Sequence, residues 1–181
     1  MAEKWDIYNI NRQRIGQTYK KPSSWEHDFY HLIVHVAIFD TYHRMLIQRR
    51  SPIEHSWANL WDISAGGRVW AGEESWQAAE RETYEELGIS LQLHDIRPHF
   101  TINYEQGFND FFAIELDNLN LSSLNLQSSE VSEVKWATLE DIHQMLQAGT
   151  FVPYFPGLID LLWQVKDNYD GAIKQKSSTA E

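Results

Sequence analysis

One stretch limits the choices for this chain more than any other: residues 67–89, GRVWAGEESWQAAERETYEELGI. Its 3.6-residue period predicts a helix from about Glu74 to Leu87, entered from a glycine-marked loop at 65–67. Gly88 suits the left-handed position that ends a helix. Trp76, Ala79, Thr83 and Leu87 form a mostly apolar stripe that fits packing on a sheet, while Ala78, Glu82, Glu85 and Glu86 form a second stripe. In that second stripe the glutamates are i,i+3 and i,i+4 neighbours, and like charges so placed cost an isolated helix about 0.2–0.5 kcal/mol per pair. Arg81, four residues before Glu85, relieves only part of this repulsion. Two explanations stand: a solvated acidic face, or carboxylates gathered to hold a cation.

The flanking residues favour the second. Gly67, five residues, Glu73, seven residues, Arg81-Glu82, two residues, Glu85-Glu86, one residue and Gly88-Ile89 resemble the Nudix box, G-x5-E-x7-R-E-U-x-E-E-x-G-U, where U is a bulky aliphatic residue. All seven fixed positions agree; at roughly 1 in 15 per residue type, chance agreement in one register is about 1 in 10 to the eighth. Thr83 departs from the aliphatic position, and because it lies on the apolar stripe the departure concerns packing and leaves the carboxylates alone. The resemblance implies an α/β fold, a Nudix-type α/β/α sandwich with a mixed β-sheet. It also implies a hydrolase that uses Mg2+, with Mn2+ as the alternative ion. The expected metal set is Glu82, Glu85 and Glu86, joined by Glu73 from the loop and by the Gly67 carbonyl, with Arg81 orienting the glutamates through ion pairs. Hard divalent cations take such oxygen ligands and keep several waters, which lets them neutralise a diphosphate and lower the pKa of an attacking water.

The rest of the chain bounds this reading. Apolar residues make up 43% and there are eight each of Trp, Tyr and Phe, a globular composition. No apolar run approaches the roughly 18 residues of a membrane span, and the first residues carry no secretory-signal pattern, so a cytoplasmic location is expected. The chain has no cysteine, which removes disulfides, thiolate metal sites and cysteine nucleophiles. A net charge of −11 argues against nucleic-acid partners but not against a small anion held through metal ions. A homodimer, the commonest closed assembly, is the oligomer to look for.

Along the chain, residues 5–19 read as two short strands around a polar turn, and 20–27 as a connector, so that about 1–28 forms an N-terminal hairpin and connector. Strands are expected at 30–39, 44–50, 61–64, 91–93, 96–104, 108–116 and 131–136, and helices at 139–147, capped by Thr138, and after Pro156. About 171–181 reads as a frayed tail. With no repeat and no long linker, residues 1–181 form a single domain in this reading.

A weaker resemblance, carried by EKWDIYNINRQRIGQT, YHLIVHVAIFD, MLIQRRSP and LWDISAGG, points to the isopentenyl-diphosphate-isomerase-like branch of the family. Isomerases of that branch need a cysteine where this chain has Ala65 and a metal-binding histidine where it has Gly67, and of their nearby histidine ligands only His31 has a counterpart. The resemblance therefore favours hydrolysis of a diphosphate linkage in a nucleoside-diphosphate-linked or related small organic diphosphate. Isomerase chemistry and a non-catalytic nucleotide-sensing module are the rivals. Arg50 resembles that branch's diphosphate contact, planar guanidinium being well matched to phosphate oxygens. Glu130, Glu133 and Glu105 are the candidates for a general base outside the box. His31 and His35 share a strand face and are read as core residues, since the carboxylates already supply a hard-cation site. Trp57, Trp70, Tyr104 and Phe108 can stack on a base, although core and loop packing is the commoner use of such rings.

Overall fold

The computed structural model describes residues 4–20, 29–53 and 56–166. The connector expected at 20–27, apart from Lys20, and the tail at 171–181 lie outside the described residues, as do Glu54 and His55. The chain order is β1 (Lys4–Tyr8), β2 (Arg14–Lys20), β3 (His31–Phe39), β4 (Met45–Arg50), β5 (Trp61–Asp62), β6 (Ala65–Arg68), α1 (Ser75–Leu87), β7 (Phe100–Tyr104), β8 (Gly107–Glu115), a 3-10 turn at Leu121–Ser123, β9 (Val131–Ala137), α2 (Leu139–Gln147) and α3 (Pro156–Val165).

β3 is the spine. It runs parallel to β8 from His31↔Gly107 to Phe39↔Glu115, and antiparallel to β6 from Ile33↔Arg68 to Val36↔Ala65. β7 flanks β8, while β4 pairs with β5, β9 and the end of β3. Both faces of β3 are covered, which explains its nearly continuous apolar sequence. On one face Leu32, Val34, Val36 and Ile38 pack with Ala78, Ala79 and Leu87 of α1. On the other, Ala37, Phe39, Met45 and Ile47 pack with Ile142 of α2 and with Ile159 and Leu162 of α3. This is the expected α/β/α sandwich on a mixed sheet. Among the described residues no helix is long and apolar enough to cross a membrane.

Local chemistry sets the element ends. Asp40 accepts hydrogen bonds from the backbone N–H groups of Tyr42 and Arg44, which closes the β3–β4 turn. The Thr138 hydroxyl caps α2 by accepting from Asp141 N–H, and Pro156 opens α3 at a position that needs no N–H donor. Gly88 (φ 71°) ends α1, its N–H donating to Tyr84 O.

Four expectations need correction. The glycine-marked stretch at 65–67 is not a loop: Ala65–Arg68 is strand β6, because glycines pair well where no side chain can fit. The strand expected at 61–64 pairs only at Trp61–Asp62, and the one expected at 96–104 only from Phe100. Residues 91–93 form no strand; Leu91 and Leu93 are buried beside α1, with Leu93 N–H donating to the Glu80 carboxylate at 2.5 Å.

Candidate active site

β6 and α1 face each other, and their closeness arranges the carboxylates. Gly67 shares the α1 face with its partner Val34, and a Cβ added there would overlap the carboxylate of Glu82. Glu82 and Glu86 point towards the sheet and are 9% and 3% exposed, whereas Glu85 points outward. The acidic stripe is thus buried at Glu82 and Glu86 and exposed at Glu85. Glu86 Oε2 accepts from Gln48 Nε2 at 2.9 Å and from the Gly66 N–H at 3.4 Å. Burial raises the pKa of Glu82 to about 7, against the pull of Arg81 and with Glu85 and Glu130 adding to the rise. Burial also holds the Glu86 carboxyl well above its usual range, helped by Glu82 and Glu130 and opposed by Gln48. Thr83, the departure from the motif, is fully buried, with its hydroxyl donating to Ala79 O at 2.7 Å.

Arg81 sits at the centre of these carboxylates. It donates through Nε and Nη2 to Glu73 (2.8 and 3.0 Å), and through Nη1 to Glu82 (2.7 Å) and Glu85 (3.0 Å). Nη2 also donates to Arg68 O at 2.9 Å, and the guanidinium lies 3.9 Å above the Trp70 ring. Glu73 is held further by the Trp70 N–H at 2.9 Å, so its carboxylate faces Arg81. Among the described residues no three carboxylate or imidazole groups stand together as a preformed metal cage. The donor set still suits a hard divalent cation. Two buried carboxylates whose proton affinity is raised are short of positive charge, and the Gly67 cradle leaves oxygen donors unobstructed by a side chain.

The structure separates the other candidates. Glu130 lies close enough to Glu82 and Glu86 to raise both, and Gln127 Nε2 donates to it at 2.9 Å. Glu133 instead faces Arg49 at 3.7 Å on a half-exposed surface, and Glu105 sits in the β7–β8 turn at the far side of β3. Arg50 lines a cavity of about 360 Å³ together with Ile33, His35, Gln48, Asp62, Gly66, Gly67 and Arg68. Its Nε donates to Ser56 O at 2.9 Å and its Nη1 to Asp62 at 3.3 Å. Tyr154 OH donates to the other Asp62 oxygen at 2.8 Å.

A model of the NUDIX domain matches residues 29–155, well over half of the chain. The chain belongs to the Nudix family. An uncharacterized Nudix hydrolase of Listeria monocytogenes is 40% identical over 153 residues, covering 84% of this chain and 90% of its own length. A protein of Pectobacterium atrosepticum named isopentenyl-diphosphate Delta-isomerase is 28% identical over 132 residues, covering 69% of this chain and 72% of itself. The crystal structure of DR0079 from Deinococcus radiodurans superposes with a TM-score of 0.70 at 22% identity, covering 90% of this chain and 98% of that one, a likeness of fold.

Beside the Nudix helix, the two histidines occupy the opposite sheet face. His31 is buried, stacks on Trp5 and meets Tyr104 OH at 2.7 Å; burial, then Arg68, lowers its pKa to about 4. His35 stacks on Phe111 with centroids 4.6 Å apart and meets Asn109 at 3.3 Å. Among the aromatic candidates, Trp70 supports Arg81, Tyr104 partners His31, Phe108 packs with Tyr8 and Tyr30, and Trp57 is exposed. Sequence reasoning missed Asp62, Tyr154, Gln48 and Arg68. Strand parity from Gly67 would have put Arg68 on the face away from the glutamates; nothing local marks the other three, which meet only through long-range pairing.

Proposed function

We propose that this Nudix protein cuts a diphosphate linkage in a nucleoside-diphosphate-linked or related small organic diphosphate, using Mg2+ or Mn2+. The observation that carries the reading is the burial of Glu82 and Glu86 against the glycines of β6 at the rim of a cavity lined by two arginines. Glu82, Glu85 and Glu86 with the Gly67 carbonyl would hold the ion, Glu73 contributing from the loop side directly or through water. A divalent ion so held supplies charge neutralisation to the phosphates and acidifies water.

The chain's own groups do the rest. Gln48 and the Gly66 N–H fix Glu86, and Arg81 fixes Glu73, Glu82 and Glu85 against a rigid helix. Glu130, steadied by Gln127, is the general base of this reading. It takes a proton from water as the water oxygen bonds to one phosphorus, the bridging P–O bond breaks, and the other phosphoryl fragment leaves with the bonding pair. The name of the Pectobacterium relative makes double-bond migration the second reading; this chain has no cysteine to serve it.

The test is a panel of diphosphates, nucleoside-linked and simple, incubated with Mg2+ or Mn2+ and read by phosphate and monophosphate release. Isopentenyl diphosphate belongs in the panel, with its isomer measured as well. The expected result is hydrolysis that falls by several orders of magnitude in Glu86→Gln while the fold persists. Wild-type turnover in that variant would remove Glu86 from the mechanism. Isomer formation would replace the hydrolase reading, and tight binding without turnover of anything would favour the sensor.

A further inference from the structure

We propose that Arg68, laid on the indole of Trp5, grips the substrate phosphate that lies away from the carboxylates, the diphosphate crossing β6 at Gly66–Gly67. The proposal rests on the hydrolase reading and adds to it a phosphate-binding residue on the other face of the sheet.

Strand parity puts Arg68 on the face away from the glutamates. Gly67 shares the face of Val34 and meets Glu82, whereas Arg68 shares the face of Ile33. The cavity of about 360 Å³ touches both sides of the strand, since Gln48, the partner of Glu86, and Arg68 both line it. Gly66 and Gly67 line the same cavity, so their backbone is the only part of β6 that separates the two sides there. A molecule with two linked phosphoryl groups can therefore have one beside the glutamates and the other on the far side of a strand only one backbone thick.

Charge favours the same placement. Arg50 and Arg68 are the two guanidinium groups of the cavity wall. Arg50 already donates to Asp62 and Ser56 O. Arg68 is exposed, and among the described residues no carboxylate stands within ion-pair distance of it. Its guanidinium lies 4.5 Å from the Trp5 ring centroid, and its backbone carbonyl, not its side chain, meets Arg81. An indole face orients a guanidinium without using its N–H groups, which stay available to a planar, bidentate acceptor such as phosphate. Trp5 belongs to β1 and is only 2% exposed, so the N-terminal hairpin, which precedes the matched family domain, supplies the platform. The neighbouring imidazole of His31, held neutral by its burial, brings no competing charge.

The probe is methylenediphosphonate, a diphosphate mimic that cannot be cleaved, with affinity measured by calorimetry in Mg2+ and in EDTA. Arg68→Gln should weaken binding at least tenfold in both conditions, while Glu86→Gln should lose only the gain that Mg2+ brings. On a cleaved substrate, Arg68→Gln should raise KM by a similar factor and leave kcat within a few-fold. Independently of any variant, methylenediphosphonate should protect Arg68 of the wild-type chain from phenylglyoxal, read on the peptide by mass spectrometry. Unchanged affinity in Arg68→Gln, or modification of Arg68 that the diphosphonate does not slow, overturns the proposal. Both readouts are free of turnover, so a chain that binds through Arg68 but hydrolyses nothing would sink the hydrolase reading and not this one.

Discussion

Glu82→Gln in the metal-free protein exposes the electrostatic tension that the site is built on. The folded chain raises the Glu82 pKa from 4.5 to about 7, chiefly by burial. Between those two pH values the folded state binds more protons than the unfolded state, so stability from this group is complete below pH 4.5 and is lost as pH rises through 7. At 1.36 kcal/mol for each factor of ten, the loss is about 3 kcal/mol. Glutamine keeps the shape and stays neutral, so the variant avoids it. In EDTA at pH 8 the variant should therefore be more stable by up to about 3 kcal/mol, or roughly 6–12 °C in melting temperature for a chain of this size. At pH 4.5 the two proteins should coincide. Millimolar Mg2+ should then close or reverse the gap at pH 8, because only the wild type gains strongly from binding the ion. Thermal and urea unfolding from pH 4.5 to 8.5, with and without Mg2+, measures all of this. Parallel pH profiles for the two proteins in EDTA, or a wild type that gains on the variant as pH rises, would refute the claim that Glu82 is a carboxylate buried at electrostatic cost.

Gly67→Ala places a methyl where the Glu82 carboxylate lies, so it should cost about 1–3 kcal/mol by overpacking and depress turnover through the displaced glutamate; unchanged urea midpoint and unchanged kcat would remove the cradle from the account. Arg14 donates to the Glu73 carbonyl and pairs with Glu74 at 3.0 Å, while Asp6 accepts from the Gly72 N–H at 2.8 Å, so the hairpin braces the loop that carries Glu73. Arg14→Ala should cost stability under about 1 kcal/mol, the pairs being partly exposed, yet lower kcat by about tenfold to a hundredfold as the loop shifts. Steady-state kinetics beside amide hydrogen exchange of residues 70–74 checks this, and wild-type values of both would contradict it.

Much of the site could be read in the sequence because its chemistry is local. Glu82, Glu85, Glu86 and Arg81 lie within one and a half turns of helix, so their relations follow from the helical period. The same period separated two stripes, but it could not tell a solvated stripe from a buried one: the burial of Glu82 and Glu86 depends on β6, and β6 was hidden because glycine ordinarily signals a loop. The link from Arg81 to Glu73 was also out of reach, since the loop must fold back over Trp70 to make it. The different settings of Glu130 and Glu133 follow from the β4–β9 pairing, which puts Glu133 opposite Arg49 and leaves Glu130 just ahead of the strand, near Glu86. The sheet order rests on the parallel register of β3 with β8, a contact across some seventy residues that no local pattern encodes. The Asp62–Tyr154 hydrogen bond, 92 residues apart in the chain, is hidden for the same reason.

The central claim, that the buried glutamates of α1 hold a divalent cation, is met most directly by titrating the metal-free protein with Mn2+ and following the free ion by electron paramagnetic resonance. Wild type should take up Mn2+ at submillimolar concentration, with uptake lost in the Glu82→Gln/Glu86→Gln double variant and not restored by higher pH. No uptake at several millimolar Mn2+, or equal uptake by the double variant, would contradict the account.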